Sequence, residues 1–167
     1  MRALQRRVLV SGAVLDCCGG MYDGVSMQLM TTNIVQTNDI CPTVKSHSHE
    51  DCSTPSFWAS VGSFDWVVTS PPFKLASSIV PLAVEAAKIG VAMRLRLDFL
   101  EASSSREWIK LNPPCALVIL PRRLIDDDDK CVPTRPRNTE AWFVWASRGV
   151  RAKDVLLGAV SKTYILH

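Results

Sequence analysis

The apolar positions of this chain fall into short blocks separated by turn-forming residues. Residues 8–15 (VLVSGAVL), 33–38 (NIVQTN), 64–69 (FDWVVT), 91–97 (VAMRLRL), 115–120 (CALVIL) and 140–146 (EAWFVWA) are rich in aliphatic, β-branched and aromatic residues. Blocks of this length and content predict strands. The segments between them carry a different period. In 74–89, Leu75, Ile79, Leu82, Ala83 and Ala86 recur close to every 3.6 residues, which predicts a helix. Pro81 predicts a kink or an interruption within it, and Gly90 its stop. Residues 23–31 and 99–110 predict two further helices, with Ser103 to Ser105 inside or capping the second. Strands alternating with helices predict an α/β sheet domain. Trp142 and Trp145 lie three apart on one predicted strand and so face opposite sides, with at least one in the core.

The remaining stretches read as connections. Residues 41–62 are rich in Ser, His, Thr and Pro and predict a loop with one short element around Phe57 and Trp58. Residues 122–138 predict a charged, proline-bearing loop, and 151–167 a short helix followed by a last strand, KTYIL. The length of 167 residues predicts a single domain over 1–167. An apolar share of 47% and a charged share of 21% are ordinary for a globular protein, and no apolar run has the length of a membrane helix. The basic start is followed by an apolar stretch that Ser11 and Gly12 break and Asp16 ends, with no convincing cleavage site, so it predicts no signal peptide. An intracellular, cytoplasmic protein is expected, or a nuclear one in a eukaryotic host.

The six cysteines, at 17, 18, 41, 52, 115 and 131, form no C-x-x-C pair and no familiar zinc spacing with His47, His49 and His167. They predict reduced thiols and no metal site, with His47, His49 and Cys52 in a solvated loop. The net charge of +3 says little about partners. Arginines at 2, 6 and 7 and at 122, 123, 135 and 137 suit either phosphate contacts or a solvated basic surface, and the acidic run from Asp126 to Asp129 a solvated loop.

Open α/β sheets bind ligands beyond the carboxyl ends of their strands, so the residues that end strands carry the candidate chemistry. Four constellations stand there. Asp16-Cys17-Cys18-Gly19-Gly20 combines a carboxylate able to receive a ligand's ammonium with glycines that let the backbone turn and come close; a plain strand-to-helix turn would look the same. Asp39, 23 residues after Asp16, suits the two hydroxyls of a ribose, or a turn or cap. Ser70-Pro71-Pro72-Phe73 follows a buried-strand pattern and precedes a helix, where a linker is out of place. Arg94, Arg96, Asp98 and Glu101 follow in the fourth strand and just after it, where Arg96 could meet a phosphate or pair with Asp98 or Glu101.

Together VLDCCGG, TNDI, FDWVVTSPPF, LRLDFLE and AWFVW resemble the phage-type and restriction-type DNA amino-methyltransferases, over residues 8 to 148. The resemblance implies a Rossmann-like class I methyltransferase fold, a mostly parallel sheet flanked by helices, with 115–120 and 140–146 as a C-terminal antiparallel hairpin. It implies S-adenosylmethionine as cofactor, contacted by Asp16, Cys18, Gly19, Gly20 and Asp39. It implies that Ser70, Pro71, Pro72 and Phe73 hold the target base. In that family the polar side chain and the first proline's carbonyl accept the hydrogens of an exocyclic amine, adenine N6 or cytosine N4, and the aromatic residue stacks on the base. The partner would be DNA, duplex or single-stranded, with the base flipped out of the stack. Cys17 stands where the family often has Pro, Met21-Tyr22-Asp23 where a second spaced glycine is usual, and Ser70 where many members have Asp or Asn. Ser is commoner in the cytosine-directed group. No separate target-recognition domain is expected, which leaves the loops at 41–62 and 122–138. RNA bases, a protein glutamine, or a silent cofactor-fold module that binds nucleic acid or a partner are the alternatives.

Overall fold

The computed structural model describes residues 1–120 and 139–157. The proposed last strand KTYIL, the loop at 122–138 and the charged residues within it lie outside this range. Among the described residues six strands form one sheet: β1 (Ala13–Asp16), β2 (Ile34–Thr37), β3 (Trp66–Thr69), β4 (Gly90–Arg96), β5 (Ala116–Ile119) and β6 (Glu140–Ala146). Their order is β2-β1-β3-β4-β6-β5. The first four pair in parallel, and β6 runs antiparallel to both β4 and β5. The hairpin expected from 115–120 and 140–146 is therefore present.

The central strands are buried on both faces, which is why they read as unbroken apolar runs. Their side chains alternate between two cores. Leu15, Val67, Met93, Phe143 and Trp145 face one side. There they meet α3 (Pro55–Ser60), α4 (Ala76–Ala86) and the residues around Phe99. Val14, Trp66, Val68, Ala92, Trp142 and Val144 face the other, against Leu4 of α1 (Arg2–Gln5), Leu29 of α2 (Ser26–Leu29) and Val155 of α6 (Ala152–Val155). Trp142 and Trp145 are both core, one in each layer. At the sheet centre Gly90 is pressed between neighbours. A Cβ there would lie 2.8 Å from the Trp145 carbonyl oxygen and 2.9 Å from the Trp66 ring.

Several elements differ from expectation: a short helix, Arg2–Gln5, precedes the first strand, the helix expected at 23–31 is confined to Ser26–Leu29, and the helix expected at 74–89 ends at Ala86, with Gly90 opening β4 rather than stopping the helix. The first strand begins at Ala13 rather than at residue 8, because Gly12 turns the chain with φ +93; Val8 makes a single bridge to Leu156. The helix expected at 99–110 is split into a 3₁₀ turn (Leu97–Leu100) and α5 (Arg106–Leu111). Between them the buried Ser105 hydroxyl donates to the carbonyl of Phe99 at 2.7 Å, a local alternative to helical backbone pairing. Helix α4 runs on through Pro81, five residues from its start at Ala76. Among the described residues no helix is long and apolar enough to cross a membrane.

Candidate active site

Strand β1 has β2 on one side and β3 on the other, so the chain leaves it in opposite directions before and after β2. A reversal of this kind opens a crevice beyond the strand ends. Here that crevice is bounded by the residues following Asp16, Thr37 and Thr69. It holds a cavity of about 280 Å³ lined by Cys17, Cys18, Asp39, Ile40, Glu50 to Cys52, Ser70 to Phe73, Leu75 and Ile79. Its size is near the lower end of the roughly 300–1,000 Å³ typical of small-molecule sites. Of the residues picked out from sequence, Cys18, Asp39, Ser70, Pro71, Pro72 and Phe73 share this one cavity. Asp16, Gly19 and Gly20 do not line it.

Asn38 holds the crevice together, and sequence reasoning passed it over in favour of Asp39. It is fully buried, and its amide nitrogen donates to the carbonyls of Cys17 at 3.1 Å and Glu50 at 2.9 Å. Its amide oxygen accepts from the Ser48 hydroxyl and the Glu50 N–H, both at 2.9 Å. All the hydrogen-bonding capacity of one side chain is thereby spent on tying the ends of β1 and β2 to the loop that follows. His47 adds a second tie, its Nδ1 lying 2.9 Å from the Thr37 hydroxyl. Asp39 is left half-buried at the rim, one carboxylate oxygen accepting the Cys41 N–H at 2.8 Å.

Asp16 is 1% exposed. The Ser26 hydroxyl donates to its Oδ2 at 2.7 Å, and Oδ1 has no hydrogen-bond partner among the described residues. Burial first, and then the charge of Asp23, push this carboxyl up to about 7, against the opposing pull of its polar neighbours Thr69 and Ser26. Gly19 fits between the two acids. A Cβ there would stand 2.1 Å from Asp23 Oδ2 and 2.5 Å from Asp16 Oδ2. A Cβ on Gly20 would stand 2.7 Å from Val44, so this turn is closed to larger residues on both sides.

The double-proline corner leaves β3 with Pro71 buried and Pro72 and Phe73 exposed. The carbonyls of Pro72 and Phe73 then accept the N–H groups of Leu75 and Ala76, turning the chain into α4. Phe73 stands between two hollows. Besides the cavity above, it lines a more open cleft of about 500 Å³ with Lys74, Ser77, Arg96, Asp98, Glu101 and Ser104. The Arg96 guanidinium lies 5.8 Å from the Phe73 ring centroid and pairs with Asp98. One aromatic ring thus separates a pocket at the strand ends from a polar cleft.

One grouping had no signal in the sequence. Cys52, far along the chain from Cys18, comes to 3.3 Å from it, sulfur to sulfur, and Cys17 lies 3.9 Å from Cys18. Contacts with Cys17 and then Cys18 hold the Cys52 thiol below its ordinary range, while contacts with Cys18 and then Cys52, with burial, push the Cys17 thiol up. The expected loop histidines take no part: His47 is tied to Thr37, and His49 lies beside Ser46 and the Asp39 carbonyl.

No family model and no curated protein matches this sequence. Solved structures do match. Magnesium protoporphyrin IX methyltransferase (ChlM) of Synechocystis PCC 6803, with bound SAM, superposes over 81% of this chain and 69% of its own at a TM-score of 0.52 and 9% identity. The N-methyltransferase NodS of Bradyrhizobium japonicum WM9 superposes over 87% of this chain and 89% of its own, at 0.51 and 10%. A putative rRNA-methylase of Clostridium thermocellum superposes over 81% and 86%, at 0.50 and 9%. The chain has the methyltransferase fold. At such identities the likeness is one of architecture: the parallel sheet, its helices and the closing antiparallel pair. The crevice described above lies at the strand ends of this sheet, and Phe73 lines it.

Proposed function

We propose that this chain binds S-adenosylmethionine and transfers its methyl group to an exocyclic amine of a nucleobase, with DNA as the first substrate to test. The observation that carries the reading is that Asp39 and Phe73, ends of two different strand-end motifs, line one cavity, with Ser70-Pro71-Pro72 between them. The residues fit the cofactor. Asp39 at the rim offers a carboxylate to ribose hydroxyls. Asp16 and Asp23 flank Gly19 outside the cavity lining, so they would act on a bound ammonium through their charge and not by contact. Ile40, Leu75 and Ile79 supply apolar wall.

Bound there, the cofactor would supply an electrophilic methyl carbon on a sulfonium; transfer would break the carbon–sulfur bond, release S-adenosylhomocysteine and pass one amine proton to solvent. The chain's contribution is to orient the acceptor. Ser70 Oγ and the Pro71 carbonyl accept hydrogen bonds from the amine and leave its lone pair pointing toward the cavity. The two prolines fix that geometry before the substrate arrives, so little ordering remains at the moment of transfer. Phe73 stacks on the base.

The test is transfer of labelled methyl from S-adenosylmethionine to DNA, RNA and protein offered in parallel, followed by nucleoside mass spectrometry of the product. Methylated adenine or cytosine in DNA, lost in Ser70→Ala and Phe73→Ala while cofactor binding survives, is the expected result. Transfer confined to RNA or protein would move the substrate class. Full activity in both variants would remove these residues from the site. Failure to bind cofactor at millimolar concentration would favour a silent module.

A further inference from the structure

We infer that Cys17, Cys18 and Cys52 form a three-sulfur site for a zinc ion, with its fourth coordination position open to the strand-end cavity. The inference is independent of the methyltransferase reading. Successive side chains of a strand point to opposite faces. Cys17 and Cys18 escape that rule because the chain leaves β1 at Asp16 and turns at once. The turn is fixed by the Cys18 N–H donating to the Thr69 hydroxyl at 3.1 Å, and by Asn38 gripping the Cys17 carbonyl. Cys52 is brought to the same place by the loop that Asn38 also grips, and its own carbonyl accepts the Trp58 indole N–H at 2.8 Å. Three separate restraints therefore converge on one sulfur cluster.

All three sulfurs lie within 4.8 Å of one another. A tetrahedral zinc with Zn–S bonds of about 2.3 Å holds its sulfurs about 3.8 Å apart. The Cys17–Cys18 separation of 3.9 Å already matches, and the Cys18–Cys52 separation of 3.3 Å has to open by only about half an ångström. Among the described residues no histidine or carboxylate completes the group within the same reach. All three cysteines are among the residues that line the cavity, which gives an ion an entry path. Thiolates are soft donors that select zinc over magnesium or calcium. Three thiolates against one divalent ion leave a single net negative charge. Binding releases the protons of whichever thiols were protonated.

The test uses the full chain, reduced with a non-thiol reductant and stripped with a chelator. It is then titrated with Zn²⁺ against a chromophoric chelator, and separately with Co²⁺. One Zn²⁺ per chain is expected, with a Co²⁺ spectrum showing tetrahedral bands and sulfur-to-cobalt charge transfer. Cys17→Ser, Cys18→Ser and Cys52→Ser should each weaken Zn²⁺ binding at least tenfold, with Cys41→Ser and Cys115→Ser unchanged. In case a variant misfolds, alkylation of the unaltered chain gives a second readout. Zn²⁺ should protect Cys18, the half-buried member of the group, from iodoacetamide and leave the exposed Cys41 as reactive as before. Less than one-fifth of an equivalent bound, equal losses in Cys41→Ser, or unchanged alkylation of Cys18 would each overturn the site.

Discussion

Acidifying the solution from pH 7.5 to pH 5.5 probes the proposed role of Asp16 directly. Its carboxyl sits at about 7 in the folded chain, against 3.8 ordinarily, through burial and then Asp23. Only the ionised form attracts a ligand ammonium. The ionised fraction falls from about three-quarters at pH 7.5 to about one-thirtieth at pH 5.5, so affinity should fall about 25-fold, or about 2 kcal/mol. The ligand's own ammonium and carboxylate keep their charges through this window. Calorimetry with S-adenosylhomocysteine, which carries the same amino-acid end, measures the change, and Asp16→Asn should bind weakly with no such slope. Affinity constant within twofold over the window, or the same slope in Asp16→Asn, would refute the assignment. Stability should follow the same group. Because the folded carboxyl holds its proton more tightly than the unfolded one, stability is greatest below about pH 4 and is lost as pH rises to about 7, by a few kcal/mol at most. Urea unfolding of Asp16→Asn should show that slope removed.

Other consequences are testable with single substitutions. Phe73→Ala should reduce methyl transfer to nucleic acid by roughly 5- to 150-fold, the equivalent of about 1–3 kcal/mol of base stacking, with cofactor affinity changed only a few-fold, as read by steady-state kinetics and calorimetry. Asn38→Ala removes four hydrogen bonds in a buried place and should cost about 2–4 kcal/mol in urea unfolding. Gly19→Ala should displace the Asp16 and Asp23 carboxylates and weaken cofactor binding by at least tenfold while the far-ultraviolet circular dichroism stays the same. If zinc occupies the three sulfurs, added Zn²⁺ should compete with cofactor in the shared cavity, and a chelator should restore binding in the same titration.

The central strands were legible because burial on both faces leaves apolar runs, and the edge strand β5 because its aliphatic residues suit a strand. Trp66–Thr69, Gly90–Arg96, Ala116–Ile119 and Glu140–Ala146 fall within two residues of their expected places. The antiparallel closing pair was legible through the resemblance, which carried a topology that periodicity alone could not. Residues 8–12 misled because an apolar run says nothing of the left-handed turn at Gly12. The split of the 99–110 helix turns on one buried hydroxyl, Ser105, whose local bond no window average reveals. Within the site, the motif ends Asp39 and Phe73 were visible because turn chemistry is written locally. The meeting of Cys17, Cys18 and Cys52 was not, since it depends on where a loop lands. Asn38 was hidden for the same reason: its four partners are Cys17, Ser48 and both backbone groups of Glu50, contacts made only in three dimensions.

The way Asn38 and His47 pin the loop after β2 has a practical corollary. Residues 41–43 make an exposed excursion whose two feet are stapled to the scaffold, at Asp39 on one side and at Lys45 and His47 on the other. Foreign peptide inserted at its tip would be displayed beside the crevice mouth while the anchoring contacts stay in register. The same scaffold could then be handed different reading heads, one insertion at a time.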